Sequence, residues 1–221
     1  MLNPWTGLPD SAPFVLAEDR AMVEAHNLRR KAEHQFQLAA LPEPYLGTID
    51  APVVLFNLNP GFDPLDLVNY ATEARKSMMR RCLSHELHPD EAFYFLTDQF
   101  QGTGGWHWWN AKLKPVIDAV GLERVRRGVL VIEQVPYKSR RFYGLPRTLP
   151  SQEYTFELAR QAVARNAVIV VMRSYKSWMS HVPELAEADH HRLSSSQNVM
   201  ISRGNCPTGF EEIVEGLRRD P

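Results

Sequence analysis

The stretch VVLFNLNPGF, residues 53–62, combines an apolar run with a turn that carries two amide side chains. Its first residues are β-branched or apolar without alternation, which is typical of a parallel strand buried on both faces. Asparagine, proline and glycine then end the run, as they commonly do in turns. In α/β folds the carboxyl end of such a strand is also the usual position of ligand-binding residues. The stretch therefore predicts a buried strand followed by either a structural turn or a binding site.

Two further apolar runs of this kind lie within RGVLVIEQVPYKS (127–139) and AVIVVMRSY (167–175), and a weaker one, NVMIS, covers 198–202. Helical segments are predicted at 19–40, 63–87, 106–121, 151–166, 176–185 and 207–219. Strands that alternate with helices indicate a parallel sheet covered on both faces. We therefore predict an α/β fold, a three-layer α/β/α sandwich around a central, mostly parallel sheet of four strands.

The 221 residues suit one domain, with 1–50 as an N-terminal extension that carries one helix packed on it. The net charge of −1 gives no overall attraction to nucleic acid. No run of about 18 apolar residues and no signal-peptide pattern is present, so we expect no membrane association. Two cysteines are too few to suggest a disulfide framework or a metal site. We expect a cytoplasmic monomer without a metal.

Polar residues follow each predicted strand and are expected to converge, because the carboxyl ends of parallel strands lie at one edge of a sheet. They are Asn57 and Asn59 after the first strand, Glu133, Gln134 and Tyr137 after the second, Arg173, Ser174 and Tyr175 after the third, and Ser194–Asn198 around the last. The chain has no GxGxxG motif, no P-loop and no Cys/His pair. The usual nucleotide-phosphate sites are therefore excluded.

Four segments, in order along the chain, resemble motifs of the uracil-DNA glycosylase superfamily. FNLNPGF resembles the Gly-x-Asn-Pro-Gly motif of the mismatch-specific and single-strand-selective branches. VLVIEQVPYKS is similar to a strand that ends in a base-reading asparagine, and VIVVMRSYKSWMSHV to the strand before Trp-Gly-Ser-hydrophobic-Ala. LSSSQNVMISRGN lies where the family has its His-Pro-Ser loop, but has no clean counterpart of that tripeptide. The resemblance spans residues 53–205 and is closest at Asn-Pro-Gly.

The resemblance implies a uracil-DNA glycosylase-like fold and a protein that hydrolyses the N-glycosidic bond of a flipped, modified base without a cofactor. It aligns Asn59 with the residue that positions the attacking water, and Glu133 or Gln134 with the base-reading asparagine. The further substrate-binding positions that it implies are Asn57, Pro60, Gly61, Phe62, Tyr137, Ser195 and Asn198. Because the family histidine is missing, the alternatives are a catalytically silent protein that binds a nucleobase or nucleic acid, or a protein-interacting adaptor.

The residue types at the two main positions each leave a choice open. The carbonyl oxygen of Asn59 could hold a water, or its amide could bond to the backbone of its own turn. An ionised Glu133 only accepts hydrogen bonds, so it would suit an amino group or a ring N–H and repel a carbonyl edge. It could instead form a structural pair with a lysine or arginine. Neighbouring residues of a strand point to opposite faces, so Gln134 could face the site in place of Glu133.

The segment YKSRRFYGLPR, residues 137–147, carries four basic and three aromatic residues directly after a predicted strand end. Such a local patch could bind a phosphate backbone although the chain as a whole is almost neutral. The nucleic-acid contacts predicted from it are Lys138, Ser139, Arg140 and Arg141. The alternative is a solvated basic loop that balances acidic neighbours. The expected partner is therefore single- or double-stranded DNA, or a free nucleobase-like ligand.

Overall fold

A mixed five-stranded sheet forms the centre of the protein in a computed structural model that describes residues 1–219. Its strands are β1 (Tyr45–Leu46), β2 (Val53–Asn57), β3 (Val129–Glu133), β4 (Val168–Val171) and β5 (His191–Arg192). Their order is β1-β3-β2-β4-β5, with β1 antiparallel to β3 and the other neighbours parallel. The α/β class is as predicted, but the sheet has one strand more than expected.

The central strand β2 confirms the interpretation of its apolar run. It pairs with β3 on one side and β4 on the other, and every one of its residues is buried. Because successive side chains point to opposite faces, full burial means that both faces of the strand are covered. In the register of β2 with β3, Asn57 lies directly opposite Glu133. The sequence after both apolar runs therefore places two polar side chains next to each other at the carboxyl edge.

Helices connect and cover the strands. They are α1 (Arg20–Leu28), α2 (Asp66–Asn69), α3 (Glu73–Leu83), α4 (Pro89–Ala92), α5 (Gly104–Val120), α6 (Leu122–Gly128), α7 (Gln152–Ala164), α8 (Tyr175–His181) and α9 (Phe210–Arg218). Short 3-10 turns occupy Pro4–Gly7, Ala32–His34, Tyr94–Leu96, Asp98–Phe100 and Pro183–Ala186. None of the helices within residues 1–219 is both long enough and apolar enough to cross a bilayer.

Two of the predicted helices are shorter than their sequence patterns suggested. The first ends at Leu28 because the side-chain amide of Asn27 bonds to the backbone N and O of Phe36 and so fixes a turn. The second is divided into α2 and α3, where the hydroxyl of Thr72 accepts a hydrogen bond from the backbone N of Arg75 and caps α3. In both places a side-chain oxygen accepts the hydrogen bond of a backbone N–H, of Phe36 in one and Arg75 in the other, that a continuous helix would give to a backbone carbonyl.

The predicted strand at 198–202 is wrong, and the strand at that edge of the sheet is β5 instead. The backbone of this segment is engaged elsewhere. The N–H of Ile201 donates to Lys112 O at 2.9 Å, and the Asn205 side chain donates to Asn198 O and Met200 O. Backbone groups bonded in this way are not free for a strand ladder.

The first fifty residues pack against one edge of the sheet and supply β1. Buried Asp19 accepts hydrogen bonds from the Tyr137 hydroxyl at 2.7 Å and from the backbone N of Ser151 at 3.0 Å. After β1 the chain crosses the start of β3 at Gly47, where a Cβ atom would lie 2.1 Å from Val129 O. Gly47 also has a φ of 111°, a conformation that favours glycine. This segment brings residues that precede β1 to the carboxyl edge of the sheet.

Candidate functional site at the carboxyl edge of the sheet

A cavity of about 570 Å³ lies beside the carboxyl ends of β2 and β3, within the size range of small-ligand sites. It is lined by Glu43, Asn57–Asp63, Asp66, Tyr70, Phe95, Gly104, Gly105, Trp108, Trp109, Glu133, Lys138–Phe142 and Arg173. The predicted residues at this cavity are Asn57, Asn59, Pro60, Gly61, Phe62, Glu133, Lys138, Ser139, Arg140 and Arg141. The predicted convergence of the first two strand ends is therefore present.

Asn57 and Glu133 form a buried pair at the base of the cavity. The Asn57 side-chain amide donates to Glu133 Oε1 at 2.9 Å, and the two residues are 4% and 6% exposed. Asn57 Oδ1 and Glu133 Oε2 are also buried, and neither has a hydrogen-bond partner among residues 1–219. A buried polar atom without a partner costs about 1 to 3 kcal/mol. A ligand that forms hydrogen bonds with these atoms would remove that cost.

Burial raises the pKa of the Glu133 carboxyl to about 8. The hydrogen bond from Asn57 lowers the pKa, the nearby charge of Glu43 raises it, and the charges of Arg173 and Lys138 lower it. Glu133 is therefore mostly protonated at neutral pH and can donate a hydrogen bond. The expectation that it repels a carbonyl edge is correct only for the ionised form.

Glu43 and Lys138 form a second buried pair at the cavity wall. The Lys138 ammonium contacts Glu43 Oε1, and its nitrogen lies 5.6 Å from the ring centroid of Tyr70. Burial raises the pKa of Glu43, whereas Lys138 lowers it. Lys138 and Ser139 are only 3% and 2% exposed. These two predicted nucleic-acid contacts are therefore buried in the wall of the cavity and are not part of an exposed basic surface.

The turn that follows β2 fixes the side chain of Asn59. Its amide nitrogen donates to Ser139 Oγ at 2.9 Å and to Pro60 O at 3.0 Å. The turn itself is held against the segment after β3, because Ser139 N donates to Pro60 O and Phe62 N donates to Ser139 O. Asn59 Oδ1 accepts no hydrogen bond from the part of the chain that the structure describes. The residue thus closes its turn through the nitrogen and keeps its carbonyl oxygen free.

Arg173, which follows β4, supplies the cavity with a cation that the sequence analysis noted but did not select. Its backbone N bonds to Phe56 O at 3.4 Å, so it lies beside the end of β2. The Nε atom is buried and has no hydrogen-bond partner within residues 1–219. Glu43 and Tyr70 were missed altogether. Glu43 comes from the loop before β1 and Tyr70 from the carboxyl end of α2, and both reach the cavity only through tertiary packing.

Two residues predicted from the second strand end, Gln134 and Tyr137, do not line the cavity. Gln134 points to the other face of the sheet, as alternation requires, and its side-chain amide donates to Ser177 Oγ at 2.7 Å. Tyr137 is turned toward the N-terminal segment, where its hydroxyl donates to Asp19. Between the two alternatives for a base-reading residue, the structure thus places Glu133 at the cavity.

The two residues predicted from the last loop, Ser195 and Asn198, are exposed and also lie outside the cavity. Ser195 N donates to Asn205 Oδ1 at 2.7 Å, and Asn198 Oδ1 accepts a hydrogen bond from Lys112. This loop folds on itself instead of reaching the strand ends.

Arg140 and Arg141 are exposed where they line the cavity, as predicted for nucleic-acid contacts. Arg141 lies 3.7 Å from a carboxylate oxygen of Glu33. Arg140 forms no ion pair with any residue from 1 to 219. Beside them, the guanidinium of Arg30 stacks over the ring of Tyr143 at 3.8 Å. The exposed cations of this surface, Arg140 and Arg141, therefore come from the loop after β3, whereas Arg30 of the N-terminal segment is half-buried.

Comparisons of the chain with models of protein families, with curated proteins and with solved structures find no match. Within residues 1–219, no group of three or more His, Cys, Asp or Glu side chains is placed to hold a metal ion. The cavity therefore offers four kinds of group for chemistry. They are the side-chain amides of Asn57 and Asn59, the Glu133 carboxyl with its raised pKa, the buried ion pair of Glu43 and Lys138, and the guanidinium of Arg173, which has no acidic partner within residues 1–219.

Proposed function

We propose that this protein is a DNA glycosylase-like hydrolase on a fold of the uracil-DNA glycosylase type. It would release a flipped, modified base by hydrolysis of the N-glycosidic bond, with a water oriented by Asn59. The observation that carries the proposal is the convergence of Asn57, Glu133 and Arg173 on one cavity, each with a buried polar atom that lacks a partner. A flat ligand edge with several hydrogen-bonding groups, such as that of a nucleobase, fits this arrangement.

In the proposed reaction, Asn57 and Glu133 hold the edge of the base. Asn59 Oδ1 accepts a hydrogen bond from a water and orients its lone pair toward C1′, acting as an orienter and not as a base. The bond between C1′ and the base nitrogen breaks, its electron pair leaves with the base, and the water adds to C1′ and loses a proton to solvent. The Arg173 guanidinium stabilises the negative charge on the departing base, which then takes up a proton.

Ser139 is a positioning residue in this proposal. Its hydroxyl accepts one of the two amide hydrogens of Asn59, so that the carbonyl oxygen and not the nitrogen is left for water. The segment that carries Ser139 is itself bonded to the turn by backbone hydrogen bonds. The orientation of Asn59 is therefore set before a substrate binds.

The proposed partner is DNA, and Arg140 and Arg141 would contact its phosphates next to the cavity. Phosphate contacts by exposed arginines make binding sensitive to salt, because they release condensed counterions. The resemblance to the glycosylase superfamily further suggests a monomer that acts without a metal or cofactor, and a cytoplasmic location is part of the same proposal.

A second candidate function is a catalytically silent protein that binds a nucleobase or nucleic acid. One observation favours it: no histidine is among the described residues that line the cavity. In the glycosylase family a histidine stabilises the departing base anion. If Arg173 does not take that role, the cavity would bind a base without cleaving its glycosidic bond.

The test is a base-release assay on single- and double-stranded oligonucleotides that carry uracil, hypoxanthine, xanthine or oxidised bases. Abasic sites are scored for the wild type, for Asn59→Ala and for Asn198→Ala, a control outside the cavity. We expect Asn59→Ala to lower base release by about 100-fold, since it no longer orients the water, and the control to match the wild type. No release from any substrate by folded wild-type protein would favour the silent binder.

A further inference from the structure

Three neighbouring strands each supply the cavity with one lining residue that has a buried polar atom without a hydrogen-bond partner among residues 1–219. Glu133 ends β3, Asn57 ends β2, and Arg173 follows β4. Because the strands are ordered β3-β2-β4, Asn57 lies in the middle of the row. The atoms concerned are Glu133 Oε2, Asn57 Oδ1 and Arg173 Nε. A planar ligand edge placed along the strand ends would meet them in that order.

The three positions differ in what they can exchange with a ligand. Asn57 Oδ1 only accepts, and the amide nitrogen of the same side chain is already bonded to Glu133 Oε1. The Arg173 guanidinium only donates. Glu133 Oε2 accepts when the carboxyl group is ionised and donates when it carries the proton. The row therefore has one position that always accepts, one that always donates, and one, Glu133, that changes between donor and acceptor with its protonation state.

The fold makes no other use of the free oxygen of Glu133. Within residues 1–219, the side chain of Glu133 has no ion pair, and its only hydrogen bond comes from Asn57. Lys138 is paired with Glu43 instead, and Arg173 lowers the pKa of Glu133 by its charge without forming an ion pair with it. Within residues 1–219, Glu133 is therefore not half of a structural ion pair with a lysine or an arginine.

We infer that the protonation state of Glu133 selects the class of base edge that the cavity accepts. The neutral acid suits a carbonyl–NH–carbonyl edge, as in uracil or xanthine, and the carboxylate suits an amino–NH–carbonyl edge, as in guanine. In both cases Asn57 accepts from the ring N–H and Arg173 donates to the second carbonyl. This inference rests on the proposed role of the cavity in holding a nucleobase, and it names the substrate classes for that role.

The charges around Glu133 keep both states within reach near neutral pH. Glu43, from the segment before β1, raises its pKa, and Lys138 and Arg173, from the segments after β3 and β4, lower it. Asp66 and Tyr70 line the same cavity from α2 and its carboxyl end. Together with burial these groups place the pKa at about 8. The carboxyl group is then almost fully neutral at pH 6 and mostly ionised at pH 8.5.

The test uses three 6-oxopurines that present different groups at C2, the position expected to face Glu133: hypoxanthine with hydrogen, xanthine with a carbonyl next to a protonated N3, and guanine with an amino group. Binding of single-stranded oligonucleotides that carry one of these bases is measured by fluorescence anisotropy at pH 6 and pH 8.5. Asn59→Ala is used as the background so that little base is released during the binding measurement. Hypoxanthine serves as the reference at each pH, so changes common to all three oligonucleotides cancel.

We expect the preference for guanine over xanthine to rise at least tenfold between pH 6 and pH 8.5, since the ionised fraction rises by more than that. Adding Glu133→Gln, which keeps the shape and always offers a donor, should hold this ratio at its low-pH value. The matched control Glu123→Gln changes an exposed carboxylate on α6 and should leave the pH dependence intact. Thermal unfolding of each variant shows that it is folded.

A ratio that does not change with pH would overturn the inference, as would an unchanged pH dependence in Glu133→Gln. Failure to bind any of the three oligonucleotides would also overturn it. These outcomes are separate from a failure of the proposed hydrolysis. If the wild type releases no base but the binding ratio shifts as expected, the hydrolase is excluded and the selection by Glu133 applies to a silent binder.

Discussion

The ends of β2 and β3 and the loop at 193–205 both carry amide and hydroxyl side chains, but they use them differently. In the loop, Asn205 accepts a hydrogen bond from Ser195 N and donates to backbone oxygens of the same loop. At the strand ends, Asn57 and Glu133 bond to each other and each keeps one buried oxygen without a partner. Amides that the fold itself satisfies hold a loop together, whereas unsatisfied groups of residues that line a cavity are available to a ligand.

The largest expected effect is at the buried ion pair of the cavity. Lys138→Ala should lower the free energy of unfolding by about 3 to 5 kcal/mol, because it leaves Glu43 buried without its cation. Urea unfolding at pH 7 measures this loss. Lys114→Ala removes an exposed lysine of α5 and is the control, with an expected loss of less than about 1 kcal/mol. Equal losses for the two variants would show that the buried pair contributes no more than a surface pair.

Next in size is the effect of Asn205→Ala on the loop. The variant removes hydrogen bonds to the backbone around Ser195, Asn198 and Met200 and should cost about 2 kcal/mol of unfolding free energy. Binding of base-containing oligonucleotides should stay within twofold of the wild type, because the loop does not line the cavity. A large loss of binding by a folded Asn205→Ala protein would show that the loop belongs to the site after all.

A smaller effect is expected in the pH dependence of stability. The pKa of Glu133 in the folded state is raised to about 8, so between its usual value and 8 the folded state holds a proton that the unfolded state has lost. Stability should therefore fall as pH rises, by about 1 to 2 kcal/mol from pH 6.5 to 8 for this group. Chemical unfolding at several pH values measures the slope.

Glu133→Gln should remove this slope, and Glu123→Gln should retain it. A slope that survives in Glu133→Gln would assign the titration to a different group of the protein.

The smallest effects are expected for Ser195→Ala and Asn198→Ala. Both side chains are exposed and outside the cavity, so base release and stability should each change little, by less than about 0.5 kcal/mol. The base-release assay and thermal unfolding measure these changes. The family resemblance implies that both residues bind the substrate. A loss of activity comparable to that of Asn59→Ala would therefore show that the site extends to this loop, as the resemblance implies, although the loop does not line the cavity.

Three of the five strands could be predicted from the sequence, because the runs that became β2, β3 and β4 are continuous and apolar, as expected for strands buried on both faces. The two-residue strands β1 and β5 have no such run and were not predicted. The helix ends were less predictable. The bonds made by Asn27 and Thr72 stop or divide helices through single side chains, and periodicity does not register such contacts.

The candidate site could be predicted only where it follows directly from strand ends. Asn57, Asn59 and Glu133 were found because position along a parallel strand determines the edge at which a residue lies. Glu43 and Tyr70 were not, since no local pattern connects them with that edge. The unusual state of Glu133 could not be foreseen either, because it depends on burial and on charges from three other segments.

A substitution at Gly47, at the end of the sheet opposite the cavity, is expected to disturb the cavity. At Gly47 the chain crosses the start of β3 so closely that there is no room for a side chain. Glu43 and β1 come shortly before this crossing. A side chain at residue 47 would push β1 away from β3 and carry Glu43 out of line with Lys138. A substitution at residue 47 would then disturb the ion pair of Glu43 and Lys138 at the cavity, although residue 47 does not itself line the cavity.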